Sequence, residues 1–278
     1  MPEVDLRVLS LGAGVQSTTL LLMAERGEFD AKPDYAIFAD TGWEPKRVYE
    51  HLAWLERTVT TIPIIRVSAG NIRNDVISSK NGTRVATMPF YTKDPEEGDG
   101  GILRRGCTIE YKVEPITAKI RELLGVAPGR RVNATVEQWF GISLDEAARM
   151  KDPAHKWVVN RYPLIEKRMD RLSCLLWLDR NGYPRPPKSA CIGCPFHSDA
   201  YWRELRDNSP DEWADAVEFD NDIRTGVRGV KSELYLHRNR IPLHQVDLST
   251  PRDHGQLDID DFLQETGSLN ICRGGCFL

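Results

Sequence analysis

A chain of 278 residues allows one large domain or two modest ones, and 41% hydrophobic with 28% charged residues is ordinary globular composition, which excludes a disordered, collagen-like or coiled-coil chain. Its 37 basic against 41 acidic residues leave a net charge of −4, so it is no polycation built to coat nucleic acid or anionic lipid, and an anionic ligand must be met by a local patch. No apolar run approaches the roughly 20 residues that a membrane helix needs, and Met1-Pro2-Glu3 does not begin a basic-then-apolar signal, so a cytoplasmic location without a membrane partner is expected.

The first third alternates strand-like and helix-like stretches, the pattern of a parallel sheet covered by helices. A strand is expected over 6–11, ending in glycines, then a buried helix over 17–26 stopped by Gly27. Strands over 35–39 and 62–67 flank a helix over 46–58. Residues 79–101, rich in Gly, Pro and charge, read as a long surface loop of the kind that forms lids. A helix over 112–124, a strand over 132–140 and a short helix within 141–150 follow. The fold expected is α/β, a doubly wound, mostly parallel sheet over 1–150, with a smaller, irregular, cysteine-containing part over 151–278.

Ser10-Leu11-Gly12-Ala13-Gly14-Val15-Gln16-Ser17-Thr18 lies between a strand and a helix. Small residues let backbone N–H groups come close to a phosphate, and the helix start adds its dipole and the hydroxyls of Ser17 and Thr18. It is neither a Walker loop nor a dinucleotide fingerprint, since Gly-Lys-Ser/Thr and the third glycine are missing. Asp40-Thr41-Gly42-Trp43 ends the second strand, the edge at which open α/β sheets place their ligands.

Six cysteines are too few for a disulfide scaffold in a chain of this size. Cys191-Ile192-Gly193-Cys194 puts two thiols on one tight turn, which suits zinc, an iron–sulfur cluster or a redox dithiol. His197 is either a substitute ligand or a hydrogen-bonded side chain, and Cys174 reads as a core thiol. Cys272 and Cys276, near the end of the chain, are incidental or carried on an arm to a site. Arg104, Arg105 and Lys112 flank Cys107, and residues 224–240 form a locally basic segment, a candidate surface for nucleic acid or a solvated face.

These residues resemble the adenylyl-sulfate and phosphoadenylyl-sulfate (PAPS) reductase family, within the adenine nucleotide alpha hydrolase-like superfamily that also holds the PP-loop ATP pyrophosphatases. Gly14-Val15-Gln16-Ser17-Thr18 is similar to that family's glycine turn, and Asp40-Thr41-Gly42-Trp43 to its Asp-Thr-Gly-Tyr segment. Cys107 to Pro115 resembles Cys-x-x-x-x-Lys-Val-x-Pro, and Gly141 to Arg149 resembles Gly-Ile-Arg-x-Glu-Glu-Ser-x-x-Arg. The resemblance runs from about Leu6 to Phe196. Gln16 stands where the PP-loop ATPases have Asp, Gly106-Cys107 stands in place of a Cys-Cys pair, and Ile271 to Cys276 is only loosely similar to the reductases' terminal thiol motif.

The resemblance implies an adenine nucleotide, ATP or adenylyl sulfate, over the C-terminal edge of the sheet, contacted by Ser10, Gly12, Gly14, Gln16, Ser17, Thr18, Asp40, Thr41, Gly42 and Arg149, with Mg2+ as a further candidate. The separation of Cys107 from Cys191 (191 − 107 = 84) is similar to that of the iron–sulfur reductases, which implies a [4Fe–4S] cluster on Cys107, Cys191 and Cys194, with Cys276 or Cys272 as fourth ligand or with one iron left open to sulfide or substrate, zinc being the alternative. The expected function is adenine-nucleotide-dependent sulfur chemistry. It is either ATP-dependent sulfur transfer through an adenylate, onto a nucleic acid or nucleoside, or reduction of an adenylyl sulfate, with Asp40, Cys272 and Cys276 as catalytic residues. A sulfur donor or thiol reductant protein is the implied partner. The alternative is a non-catalytic nucleotide- or nucleic-acid-binding module with structural zinc.

Overall fold

The computed structural model describes residues 3–80, 82, 87–94, 96, 98, 100–250 and 253. Cys272 and Cys276 lie outside them. Five parallel strands, β1 (Leu6–Leu11), β2 (Tyr35–Asp40), β3 (Ile64–Ser68), β5 (Val136–Phe140) and β6 (Val158–Arg161), form one sheet in the order β3-β2-β1-β5-β6. Their residues are mostly Leu, Val, Ile, Ala and aromatic, as burial on both faces requires. The chain runs outward from β1 to β3, then returns to pair β5 against the other side of β1, with Ser10 opposite Phe140. The strand order therefore reverses between β1 and β5, and a crevice opens there at the strands' C-terminal ends.

Side chains alternate across β1 and β2. Leu9, Leu11, Ala36 and Phe38 face a core shared with α1 (Val15–Glu25), α2 (Lys46–Thr58) and α6 (Arg171–Arg180), whereas Leu6, Val8, Ile37 and Ala39 face Ile116 and Ile120 of α4 (Glu114–Leu123). Helix α1 is buried on nearly every side, from Val15 to Ala24, because α6 covers the side that the sheet does not. Among its polar residues, Thr18 is sealed in by a contact of 3.0 Å between its Oγ1 and Nε2 of His51. Burial holds the His51 ring neutral, its pKa pushed down to about 4. The unfolded chain takes that proton first as pH falls below about 6.5, so stability on the order of 3 kcal/mol should drain away between pH 6.5 and 4. Urea unfolding across that range checks this, and His51→Gln should flatten the profile there.

The segment expected as a loop contributes α3 (Ile72–Ser78) just before it and, within it, β4 (Tyr91–Lys93), which pairs antiparallel with β7 (Glu233–Tyr235). A π-helical turn, Ile109–Val113, runs straight into α4. After the single turn α5 (Pro163–Glu166), helices α7 (Asp199–Asn208) and α8 (Pro210–Asp222) build a second core that holds Trp43, Phe90, Tyr111, Trp202 and Phe219. Asp220 on α8 joins this part together, accepting from the backbone N–H groups of Leu236 and Leu243 and from Arg224. β6 lies beyond residue 150 and completes the sheet begun by the N-terminal part. Among the described residues no helix is long and apolar enough to cross a membrane.

Candidate functional site

Between β1 and α1 the chain turns through Gly12-Ala13-Gly14. The residue with the uncommon backbone is Ala13, at φ 55, and not Gly14, whose φ of −94 and ψ of −177 are ordinary. A Cβ at Gly14 would meet only the Ser189 Cβ, at 4.0 Å. Ser17 ties the loop: its Oγ accepts from Gly12 N at 3.2 Å and donates to the Gly14 carbonyl at 3.3 Å. The glycine that the site does require is Gly141, just after β5. A Cβ there would lie 2.7 Å from both N and Cα of Ser17, so its absence lets the two loops meet.

A cavity of about 320 Å3 fills the crevice above them. Ser10, Gly12, Gly14, Gln16 and Ser17 line it, with the Ser10 hydroxyl accepting from Gln138 Nε2 at 2.8 Å. Its apolar lining includes Phe38, Ile109, Val113, Ile116, Ile120 and Trp157. Its charged lining comprises Lys112, Arg149, Lys151, Arg171 and Lys188 against Glu146 and Asp152. Arg149 pairs with Glu146 at 2.5 Å; burial nevertheless pushes the Glu146 carboxyl above the usual range.

Four expected contacts lie elsewhere. The Thr18 hydroxyl faces His51, and Asp40 accepts from Gly42 N and from the Tyr49 hydroxyl, both at 2.8 Å, in a turn beside the cavity rather than in its lining. Gly42 adopts φ 72 against Asn71, whose Nδ2 donates to the Gly42 carbonyl at 2.6 Å. Thr41 is buried, with its Oγ1 3.2 Å from the Cys191 Sγ and 3.4 Å from Glu44 Oε1.

The Cys191–Cys194 turn docks on Trp43, whose carbonyl accepts from Ile192 N at 2.9 Å. Gly193 is obligatory there, since a Cβ would fall 2.1 Å from the Trp43 ring, which is itself held by Asp215 and Phe219. His197 donates from Nε2 to the carbonyls of Cys191 and Ile192 at 2.9 and 3.1 Å, so it secures the turn. Desolvation and the nearby Glu44 push the Cys191 thiol up to about 12. Glu44 is fully buried, raised by desolvation, with Lys112 opposing at 3.9 Å and the Ser189 hydroxyl donating at 3.4 Å. Lys112 and Ser189 also line the cavity, so cavity and cysteine turn share one wall. Cys107 packs against the same core as Cys191.

Among the described residues, however, no group of three or more His, Cys, Asp or Glu side chains stands close enough to hold a metal ion. Cys276, the proposed fourth ligand, lies outside the described residues. Cys174 is a buried core thiol, also pushed up to about 12. In the basic segment, Arg224 pairs with Asp220 and Arg238 with Asp199, while Arg228 and Arg240 donate to the carbonyls of Gly82 and Gly100. Sequence reasoning missed Glu44, Lys188 and Arg171. The only signal for Arg171 is its place beside Asp170, a good helix cap.

No family model and no curated protein matches the chain. Among solved structures it is similar to PAPS reductase from Candida auris in a phosphate complex, at 15% identity and a TM-score of 0.38, over 65% of this chain and 74% of that one. It is also similar to the U34-tRNA thiolase NcsA from Methanococcus maripaludis with its [4Fe-4S] cluster, at 13% identity and a TM-score of 0.38, over 82% of this chain and 78% of that one. With a parallel five-stranded sheet, a glycine turn after β1 and the segments at Asp40–Trp43 and Gly141–Arg149, the chain resembles PAPS reductase-like proteins of the PP-loop superfamily.

Proposed function

We propose that the chain is an adenine-nucleotide-dependent enzyme of sulfur chemistry, with ATP as its nucleotide and sulfur transfer through an adenylate as its reaction. The observation that carries this reading is the cavity at the strand-order reversal, whose lining joins apolar side chains to five Lys and Arg side chains against two carboxylates. A purine suits the side chains of Ile109, Ile116 and Trp157, while a polyphosphate suits the cations and the backbone of Gly12–Gly14. The cations left beyond the carboxylates of the lining suit the anionic groups of a nucleotide. In the first step an oxygen of the acceptor attacks the α-phosphorus and pyrophosphate leaves, its growing charge met by the cations. A sulfur nucleophile then attacks the activated carbon, and AMP carries away the oxygen. A nucleoside or nucleic acid is the acceptor class proposed. The adenylation step itself needs neither a cluster nor zinc.

Calorimetry with ATP, ADP, AMP and adenylyl sulfate tests the reading. Affinity should fall in the order ATP, ADP, AMP. Tighter binding of adenylyl sulfate than of ATP would turn the assignment to sulfonucleotide reduction, and no binding of any adenine nucleotide would overturn it altogether.

A further inference from the structure

The cavity holds a guanidinium that makes no ion pair within 4 Å among the described residues, although Glu146 and Asp145 act on it from farther off. Arg149 has Glu146 at 2.5 Å, and Lys112 has Glu44 at 3.9 Å. Arg171, the first residue of α6, has no carboxylate oxygen within 4 Å of its guanidinium among the described residues. Its Nε is shut off from solvent and has no hydrogen-bond partner. Arg171 is half-buried and its Nε is desolvated without an acceptor, a cost that an anion arriving with the ligand would relieve.

The guanidinium is also held in place. Nη1 donates to Gln16 Oε1 at 3.1 Å, and the other end of that amide, Nε2, donates to the buried Ser143 Oγ at 3.4 Å. With both ends engaged, the Gln16 oxygen must face Arg171. The Arg171 backbone N–H donates to Asp145 Oδ1 at 3.1 Å, and Asp170 caps α6 through Ser173 N at 2.7 Å, so the start of the side chain is set as well. What stays without a protein partner among the described residues is the Nε/Nη2 edge, the fork that matches two oxygens of a phosphate or sulfate.

We propose that Arg171 recognises the anionic phosphate or sulfate group of the cavity's ligand, and that Gln16 is its positioning residue. The identity of the ligand as an adenine nucleotide rests on the function proposed above; the anion site itself does not. Arg171 thereby extends the glycine loop with a charge delivered from the far side of α1.

The test is calorimetry of wild type, Arg171→Met, Arg171→Lys and Gln16→Glu with ATP, adenosine and inorganic pyrophosphate, each variant first shown by thermal melting to be folded. Losing two charge-assisted hydrogen bonds should weaken ATP and pyrophosphate by about 30-fold or more in Arg171→Met while adenosine affinity is kept. Arg171→Lys should recover only part of the loss, because it restores charge without the fork. Gln16→Glu should weaken pyrophosphate too, by giving Arg171 an internal carboxylate. Wild-type affinity for pyrophosphate in a folded Arg171→Met or Gln16→Glu, an equal loss of adenosine and ATP, or no pyrophosphate binding by wild type would each overturn the proposal. Arg171-dependent pyrophosphate binding by a protein that ignores adenosine and ATP would instead sustain the anion site and remove the nucleotide reading.

Discussion

Asp220→Ala should lower the free energy of unfolding by about 3–5 kcal/mol, the range for breaking a buried ion pair from one side. The carboxylate has no solvent exposure. One oxygen accepts from Leu236 N at 2.8 Å and the other from Leu243 N at 3.0 Å, while Arg224 reaches it from one turn along. Arg224 in turn donates to the Leu234 carbonyl at 2.7 Å and lies over the Tyr235 ring. Alanine would strand two buried amides and a desolvated guanidinium at once. Asp220→Asn, which keeps one acceptor, should cost less. Urea unfolding measures both, and an alanine variant within 1 kcal/mol of wild type would show that other contacts hold this part of the chain.

Gly141→Ala should reduce both stability and ligand affinity. The added methyl would fall 2.7 Å from Ser17 N and Cα, backbone atoms of a helix that cannot retreat because α6 backs it. Relief has to come from β5 moving off β1, at a cost of about 1–3 kcal/mol, and this opens the crevice that the ligand uses. ATP affinity should fall at least about tenfold. Gly14→Ala is the control: with an ordinary backbone and 4.0 Å to the nearest atom, it should leave stability almost unchanged. Equal affinity for ATP in wild type and Gly141→Ala would show that the approach of the two loops does not shape the site.

The first three strands were legible because each is an apolar run ended by glycine or a charged turn, as parallel strands buried on both faces must be. β6 was not. It is four residues long, at the sheet edge, with Val159 exposed and Arg161 drawn into ion pairs with Asp30 and Glu166, so it offers no run. The glycine turn and the Gly141 segment could be found as motifs, but not which glycine is sterically required, because the clash is with Ser17, distant in sequence. Nothing in one dimension marks Glu44, which proves to be buried beside Cys191. The basic stretch over 224–240 reads as a nucleic-acid surface or a solvated face, and in the fold two of its guanidiniums are paired with Asp220 and Asp199. Pairing across the chain is invisible to a running count of charge.

The π-helical turn at Ile109–Val113 decides where Cys107 looks. Each hydrogen-bonded ring there encloses one residue more than an α-helix would, so the chain before it is rotated by about 100° relative to α4 beyond it. Ile116 and Ile120 stay beneath the sheet, while Cys107, a few residues upstream, is turned toward the core that also holds Cys191. Deleting one residue within the turn would restore plain α-helix and swing Cys107 away from Cys191, with every cysteine still present in the sequence. That both thiols face one core is thus written in a count of backbone atoms, and a gain or loss of one residue there is enough to turn Cys107 elsewhere.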